Sequence, residues 1–220
     1  MNKNPDNIIQ KSLKQKIILC MTKISLALRN SSWKSAGLQG LTPTQGHILT
    51  LFCFQSNPQM RISEIAEAMA ISPATASAAI AILVEKNLVE KHKSKDDGRV
   101  IDIALTSKGL QQAKQFSYWT EFLVDAIDQL SSEEKKALFS ILLKVIYKLQ
   151  KKKQIPISKM CVTCRFFQPN IHANSLYPHY CGFVKSYFGN EEFQIECQDH
   201  ALANEDTVKR NSTQTMEKKQ

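Results

Sequence analysis

Residues 61–109, RISEIAEAMAISPATASAAIAILVEKNLVEKHKSKDDGRVIDIALTSKG, restrict the fold more than any other stretch of the chain. Ile62, Ile65, Ala66 and Met69 recur at helical spacing and mark one inward face. A tight turn over residues 70–72 follows, where Ser72 is a fitting N-cap and Pro73 a fitting first helical residue. In the helix that Pro73 opens, Ala76, Ile80, Leu83 and Val84 form the buried stripe. Two short helices joined by so brief a turn predict a helix-turn-helix.

What comes next narrows the choice. LVEKHKSKDDGRVIDIALTSKG alternates as a strand, breaks at Asp96-Asp97-Gly98, and alternates again through Val100, Ile101, Ile103 and Leu105. Asp-Gly between alternating runs predicts a hairpin. A helix-turn-helix running into a basic hairpin is a winged helix. Lys86, Lys91, Lys93, Lys95 and Arg99 lie along the hairpin and its approach. Five clustered cations beside a candidate reading helix suit phosphate contact better than simple solvation.

Helical periodicity extends on both sides. Leu13, Ile17, Met21, Ile24 and Leu28 predict an amphipathic helix over about residues 7–30, followed by SSWKSAGLQG as a loop. LTPTQGHILTLFCF opens the next helix with Thr42 as N-cap and Pro43 in first position. Past Gly109, residues Trp119, Phe122, Leu123, Ala126, Ile127 and Leu130 repeat helically. Ser131 and Ser132 then restart a helix, with Glu134 placed as the far partner of a capping box. Leu138, Ile141, Leu142, Val145 and Leu149 mark one face of it, which Phe139, Leu143 and Ile146 widen. That stripe is broader than one small domain needs.

LTPTQGHIL, ISEIAEAMAISPATAS, LVEKNLVEK and above all DDGRVIDIALTSKG make residues of about 10–150 resemble the MarR family of bacterial transcriptional regulators. The resemblance implies dimers whose recognition helices enter successive major grooves while the wings reach the flanking minor grooves. It implies a helical dimer interface that includes the first helix. Carried onto this sequence, Ser72, Pro73, Thr75, Ala76 and Ser77 form the DNA-facing half of the recognition helix. Lys91, Lys93 and Lys95 meet phosphates, Arg99 is the wing tip, and Asp97 orients its guanidinium. A small aromatic ligand is a further implied partner, with His47, Phe52, Trp119 and Phe122 as lining candidates. One departure has consequences. No Arg, Asn or Gln occupies the first two turns of the recognition helix, so specificity should lean on DNA shape, and affinity on salt-sensitive lysine contacts.

Charge distribution agrees. Residues 1–155 carry 22 Lys and Arg against 13 Asp and Glu, whereas residues 156–220 carry seven of each. The surplus of nine therefore sits on the part expected to meet a polyanion. No window is a transmembrane candidate, and the first residues lack a secretory pattern, so a cytoplasmic location is expected.

Beyond KLQKKKQIPISK the character of the chain changes. Cys161-x2-Cys164 precedes Cys181 and Cys197, and His200 completes a Cys-x2-His. In a reducing compartment such a short segment needs a metal staple. Cys161, Cys164, Cys181 and Cys197, with His200 able to replace one and His179 a lesser substitute, suit tetrahedral zinc; the same thiolates could hold an iron–sulfur cluster or stand unligated. A thioredoxin-like reading of Cys161-Val-Thr-Cys164 lacks a surrounding βαβ pattern. Cys20 and Cys53 lie on apolar helical faces and are expected to be buried, His92 and His172 to be surface residues without partners.

The expected fold is mainly α with a small β-wing (α+β). Its parts are a winged helix-turn-helix with dimerisation helices over 7–153, a metal-stapled module over 156–202, and a disordered tail over 203–220. The expected function is that of a dimeric DNA-binding transcriptional regulator, possible tuning by the zinc or iron–sulfur centre included. The alternative is a redox or metal-dependent enzyme using the cysteine centre, with the winged helix as a protein- or RNA-binding adaptor. No carboxylate pair, nucleophile–base set or Gly-rich phosphate loop supplies such chemistry, so a non-enzyme is expected.

Overall fold

The computed structural model describes residues 12–53, 59–93, 100–172 and 175–216. They form two compact units: residues 12–53, 59–65 and 73–125 make one, and residues 66–72 and 126–216 the other.

The first unit begins with α1 (Leu13–Leu38), started by a reciprocal capping box between Ser12 and Gln15. The helix runs well past residue 30, so SSWKSAGLQG is mostly helical and not the loop its composition suggests. Its polar groups find tertiary partners. Ser31 Oγ donates to the Trp119 carbonyl at 2.6 Å, and Ser32 Oγ lies 3.1 Å from His47 Nε2. The stop comes at Gly40, whose φ of +65° lets the Leu41 N–H reach back to the Ala36 carbonyl. α2 (Pro43–Cys53) starts as expected, with Thr42 Oγ1 accepting from the Gln45 N–H and Gln45 Oε1 accepting from the Thr42 N–H.

β1 (Gln59–Arg61) is a short strand that three residues of sequence could not announce. α3 (Ile62–Ala68) follows, then a turn in which Ala70 adopts a positive φ of 53°, then α4 (Pro73–Glu85). Asn87, at φ +56°, ends α4 and allows the Leu88 N–H to bond the Leu83 carbonyl. β2 (Val89–Lys93) and β3 (Ile101–Leu105) form the antiparallel hairpin, and β1 adds to the far side of β3, giving the order β1-β3-β2. Met60 and Lys91 flank Ile103 in register.

Thr106 then caps α5 (Ser107–Ser117), accepting from the Gly109 N–H at 2.9 Å while donating to the Asn87 carbonyl at 2.8 Å. α2 and α5 pack closely. A Cβ on Gly46 would lie 2.5 Å from the Phe116 ring, so this crossing requires glycine. Ile48, Leu49, Ile80, Leu83, Leu88, Ile103 and Phe116 are buried there. A 3-10 turn (Tyr118–Thr120) divides the helical run after Gly109 and leads into α6 (Glu121–Asp128).

The second unit is built on α7 (Ser132–Lys151). Ser131 Oγ accepts from the Glu134 N–H, and the Glu134 carboxylate accepts from the Ser131 N–H, the capping box expected from sequence. Hydrogen bonds to the carboxylate from the Ser131 backbone N–H and from its side chain hold the Glu134 carboxyl below its usual range. The wide apolar stripe of α7 divides in two. Leu143 and Tyr147 are buried in a core with Met160, Val162, Phe167, Phe193 and Met216, whereas Leu138, Ile141 and Leu142 stay exposed. The core residues after α7 sit on a 3-10 turn (Cys161–Thr163) and a small antiparallel sheet of β4 (Phe167–Gln168), β5 (His179–Cys181) and β6 (Ser186–Phe188), in that order.

The tail expected to be disordered is instead largely α8 (Glu205–Thr215), capped by Asn204. Its composition is polar, but Val208 and Met216 join the core, and Asn211 Nδ2 donates to the Val162 carbonyl at 3.5 Å. Two apolar contacts are enough to order a helix when a surface already waits for them.

Candidate nucleic-acid interface and cysteine cluster

α4 separates core from surface residue by residue. Ala76, Ile80 and Leu83 are fully buried, while Pro73, Thr75 and Ser77 are exposed, as are Ala74, Ala78 and, just before the helix, Ser72. Ala76 is therefore corrected from contact residue to core residue. It belongs to the same face as Ile80, four positions on, and a helix cannot present one face to both protein and duplex. What remains exposed is small and carries hydroxyls, a surface that lets a backbone groove approach closely.

On the hairpin, Lys91 and Lys93 of β2 are exposed. Lys86 is turned to another task, its Nζ donating to the Gly40 carbonyl at 3.1 Å, which fastens the end of α4 to the end of α1. Lys95, Asp97 and Arg99 lie outside the described residues. His92 has a partner after all, with Nε2 3.1 Å from Glu90 Oε1 on the same strand. His172, expected to stand alone, is exposed but has its ring 5.1 Å from that of Tyr187.

The aromatic residues considered for a ligand space are packed together. His47 meets Phe116 edge-on at 5.1 Å and Trp119 at 4.8 Å, Phe52 is core, and Phe122 is exposed. Burial pushes the His47 imidazole below its usual pKa. Cys20 and Cys53, expected to be buried, are both exposed. For Cys20 the reason is α1 itself, whose apolar residues Leu13, Ile17, Ile18, Met21 and Ile24 are largely uncovered.

The four later cysteines come together. Cys161, Cys164, Cys181 and Cys197 line one cavity of about 40 Å³, together with Phe166, Phe167, Phe183, Val184, Phe188 and Asp199. All are free thiols. Burial and the neighbouring thiols push Cys161 up to about 11, against a bond from the Gln194 N–H to its Sγ at 3.3 Å. As the side chains stand, no three His, Cys, Asp or Glu groups among the described residues are set to share an ion. The two histidines considered as substitutes are engaged elsewhere. His200 Nε2 lies 3.0 Å from Thr163 Oγ1, and buried His179 accepts from the Asn170 N–H at 3.2 Å with its other nitrogen 2.9 Å from Asn190 Oδ1. The contacts that engage them were invisible in sequence, because each partner lies nine or more residues away.

Comparison with known proteins points to one family. The MarR family profile matches residues 41–101, from the start of α2 to the start of β3. The transcriptional regulator ZitR of Lactococcus lactis subsp. cremoris (strain MG1363) is 31% identical over 106 residues, which are 46% of this chain and 71% of that protein. The HTH-type transcriptional repressor MdtR of Bacillus subtilis (strain 168) is 35% identical over 71 residues, 32% of this chain, and the chain spans only 44% of its length. Among solved structures, the MepR–DNA complex of Staphylococcus aureus superposes with a TM-score of 0.52 at 24% identity, covering 60% of this chain and 96% of MepR. AbsC of Streptomyces coelicolor, described as a MarR family transcriptional regulator, gives 0.54 at 21% identity, covering 64% and 97%. These two superpositions bear on the fold. The cysteine cluster lies beyond the profile match.

Proposed function

Since this chain belongs to the MarR family, we propose that it is a dimeric transcriptional regulator that binds double-stranded DNA through α4 and the β2–β3 hairpin. The observation that carries the reading is α4, anchored by Ala76, Ile80 and Leu83 and exposed at Pro73, Thr75 and Ser77. A helix so divided presents a rigid, small-residue surface to the major groove. Hydroxyls and methyls read bases weakly, so sequence preference comes mainly from groove shape, with Arg99 as the minor-groove residue. The relatives support the assignment by their own descriptions, a repressor and a transcriptional regulator.

Dimerisation follows from the uncovered apolar residues of α1, among them Leu13 and Ile18 at 73% and 63% exposure. Isolated exposed leucines are ordinary, but a helix-long series is a surface awaiting a partner. A second copy of the same chain supplies it with two-fold symmetry, which matches a pseudo-palindromic operator. Small aromatic molecules are the proposed effectors, and one that entered beside His47 would have to displace its packing on Trp119.

The test is a gel-shift with the promoter region of the chain's own gene. Ser77→Glu places a carboxylate on the exposed face of α4 without touching the core. It should abolish the shift, while circular dichroism stays that of the wild type. Undiminished binding by Ser77→Glu would remove α4 from the interface, and no shift of any neighbouring promoter by the wild type would favour the adaptor reading.

A further inference from the structure

The DNA-binding reading makes no use of Cys161, Cys164, Cys181 or Cys197, yet the fold gathers all four. Cys161 and Cys164 bracket one 3-10 turn, closed by the Cys164 N–H donating to the Cys161 carbonyl at 2.9 Å. Cys181 ends β5, in register with Phe167 of β4, three residues past Cys164. The Cys197 N–H donates to the Lys159 carbonyl at 3.0 Å, two residues ahead of Cys161. Backbone bonds, with no sulfur–sulfur bond among the described residues, thus bring three separate segments to one cavity.

Packing alone does not account for this. Four thiols around a small, mainly phenylalanine-walled space with Asp199 at its lining leave it unfilled, where apolar side chains would interdigitate and close it. Soft sulfur donors converging from a Cys-x2-Cys turn and two later positions are instead the donor set of a thiophilic metal. One bond of the kind that orients a ligating thiolate is already present, from the Gln194 N–H to Cys161 Sγ.

We propose that Cys161, Cys164, Cys181 and Cys197 together bind one zinc ion as four thiolates. The side chains ring the cavity without meeting at one point. Ligation therefore requires the four side chains to turn toward one another. A cavity of about 40 Å³ is on the scale of a few water molecules. It is small enough to suit a single ion, and metal analysis separates that ion from a cluster held by the same thiolates. The ion joins the 3-10 turn, the sheet and the segment at Cys197, whose neighbours Met160, Val162, Phe167 and Phe193 pack on Leu143 and Tyr147 of α7. Its role is to fasten this module onto α7, and the proposal stands apart from the DNA-binding reading.

The full chain, purified under reducing conditions without chelators, is analysed for zinc, iron and acid-labile sulfide in one sample. The expected result is about one zinc per chain. Zinc should be lost in Cys164→Ser with Cys197→Ser and retained in Cys20→Ser with Cys53→Ser. To separate loss of a ligand from loss of fold, cobalt(II) is exchanged into the wild-type chain, where intense visible bands and sulfur-to-cobalt charge transfer report a tetrahedral thiolate site. Iron with matching sulfide, zinc that survives the Cys164/Cys197 double change, or a wild-type chain that takes up neither zinc nor tetrahedral cobalt would each overturn the proposal.

Discussion

At the scale of single residues, Gly109 shows how one absent carbon sets the junction between hairpin and helix. A Cβ there would run into the Leu88 backbone carbonyl, which cannot swing aside as a side chain can. The adjacent bond from the Thr106 N–H to the Leu88 carbonyl, 3.1 Å, holds that carbonyl in place. Gly109→Ala should therefore destabilise the fold by about 1–3 kcal/mol, the usual range for overpacking, read as a lower urea midpoint at unchanged slope. His47 carries a pH signature. Its folded pKa lies below the ordinary value of 6.5, so the unfolded chain binds the proton more readily. Its contribution to stability is present above about pH 6.5 and is lost as the pH falls below that. The urea midpoint should drop between pH 7.5 and 5.5, and His47→Gln should flatten that part of the profile. DDGRVIDIALTSKG was legible as part of a family pattern, but the reason for its final glycine, a carbonyl over Gly109, is a tertiary fact. Ala76 was misassigned for a related cause. Spacing put it on the buried face, resemblance put it near DNA, and only the packed structure shows which face it serves.

At the scale of elements, the most periodic segments were read most faithfully. The caps at Thr42 and Ser131, the turn before Pro73 and the two hairpin strands all form as their side chains dictate. The misses share one physical origin, since β1, the last turns of α1 and α8 are held by partners distant in sequence. β1 exists because β3 offers an open edge, and α8 because the module offers Val162 and its core. On the hairpin, Lys91 and Lys93 are exposed on β2 and free of the helix fastening that occupies Lys86. Replacing each by alanine should weaken duplex binding almost equally for all sequences. Each change should also reduce the slope of log affinity against log salt by about one, as measured by fluorescence anisotropy titrations.

At the scale of the whole molecule, the proposed dimer rests on the apolar surface of α1. Ile18 is 63% exposed and sits amid Leu13, Ile17, Met21 and Ile24. If the proposed dimer forms there, Ile18→Glu should leave a folded monomer in light scattering coupled to size exclusion, and operator binding should fall with it because one half-site alone is held weakly. The two-sided stripe of α7 carries a last consequence. Leu143 and Tyr147 are roofed by residues from Met160 to Met216, so a gene trimmed after residue 153, where the family resemblance fades, would not yield a tidier regulator. It would strip the lid from a greasy seam, and the shortened product would stick to itself.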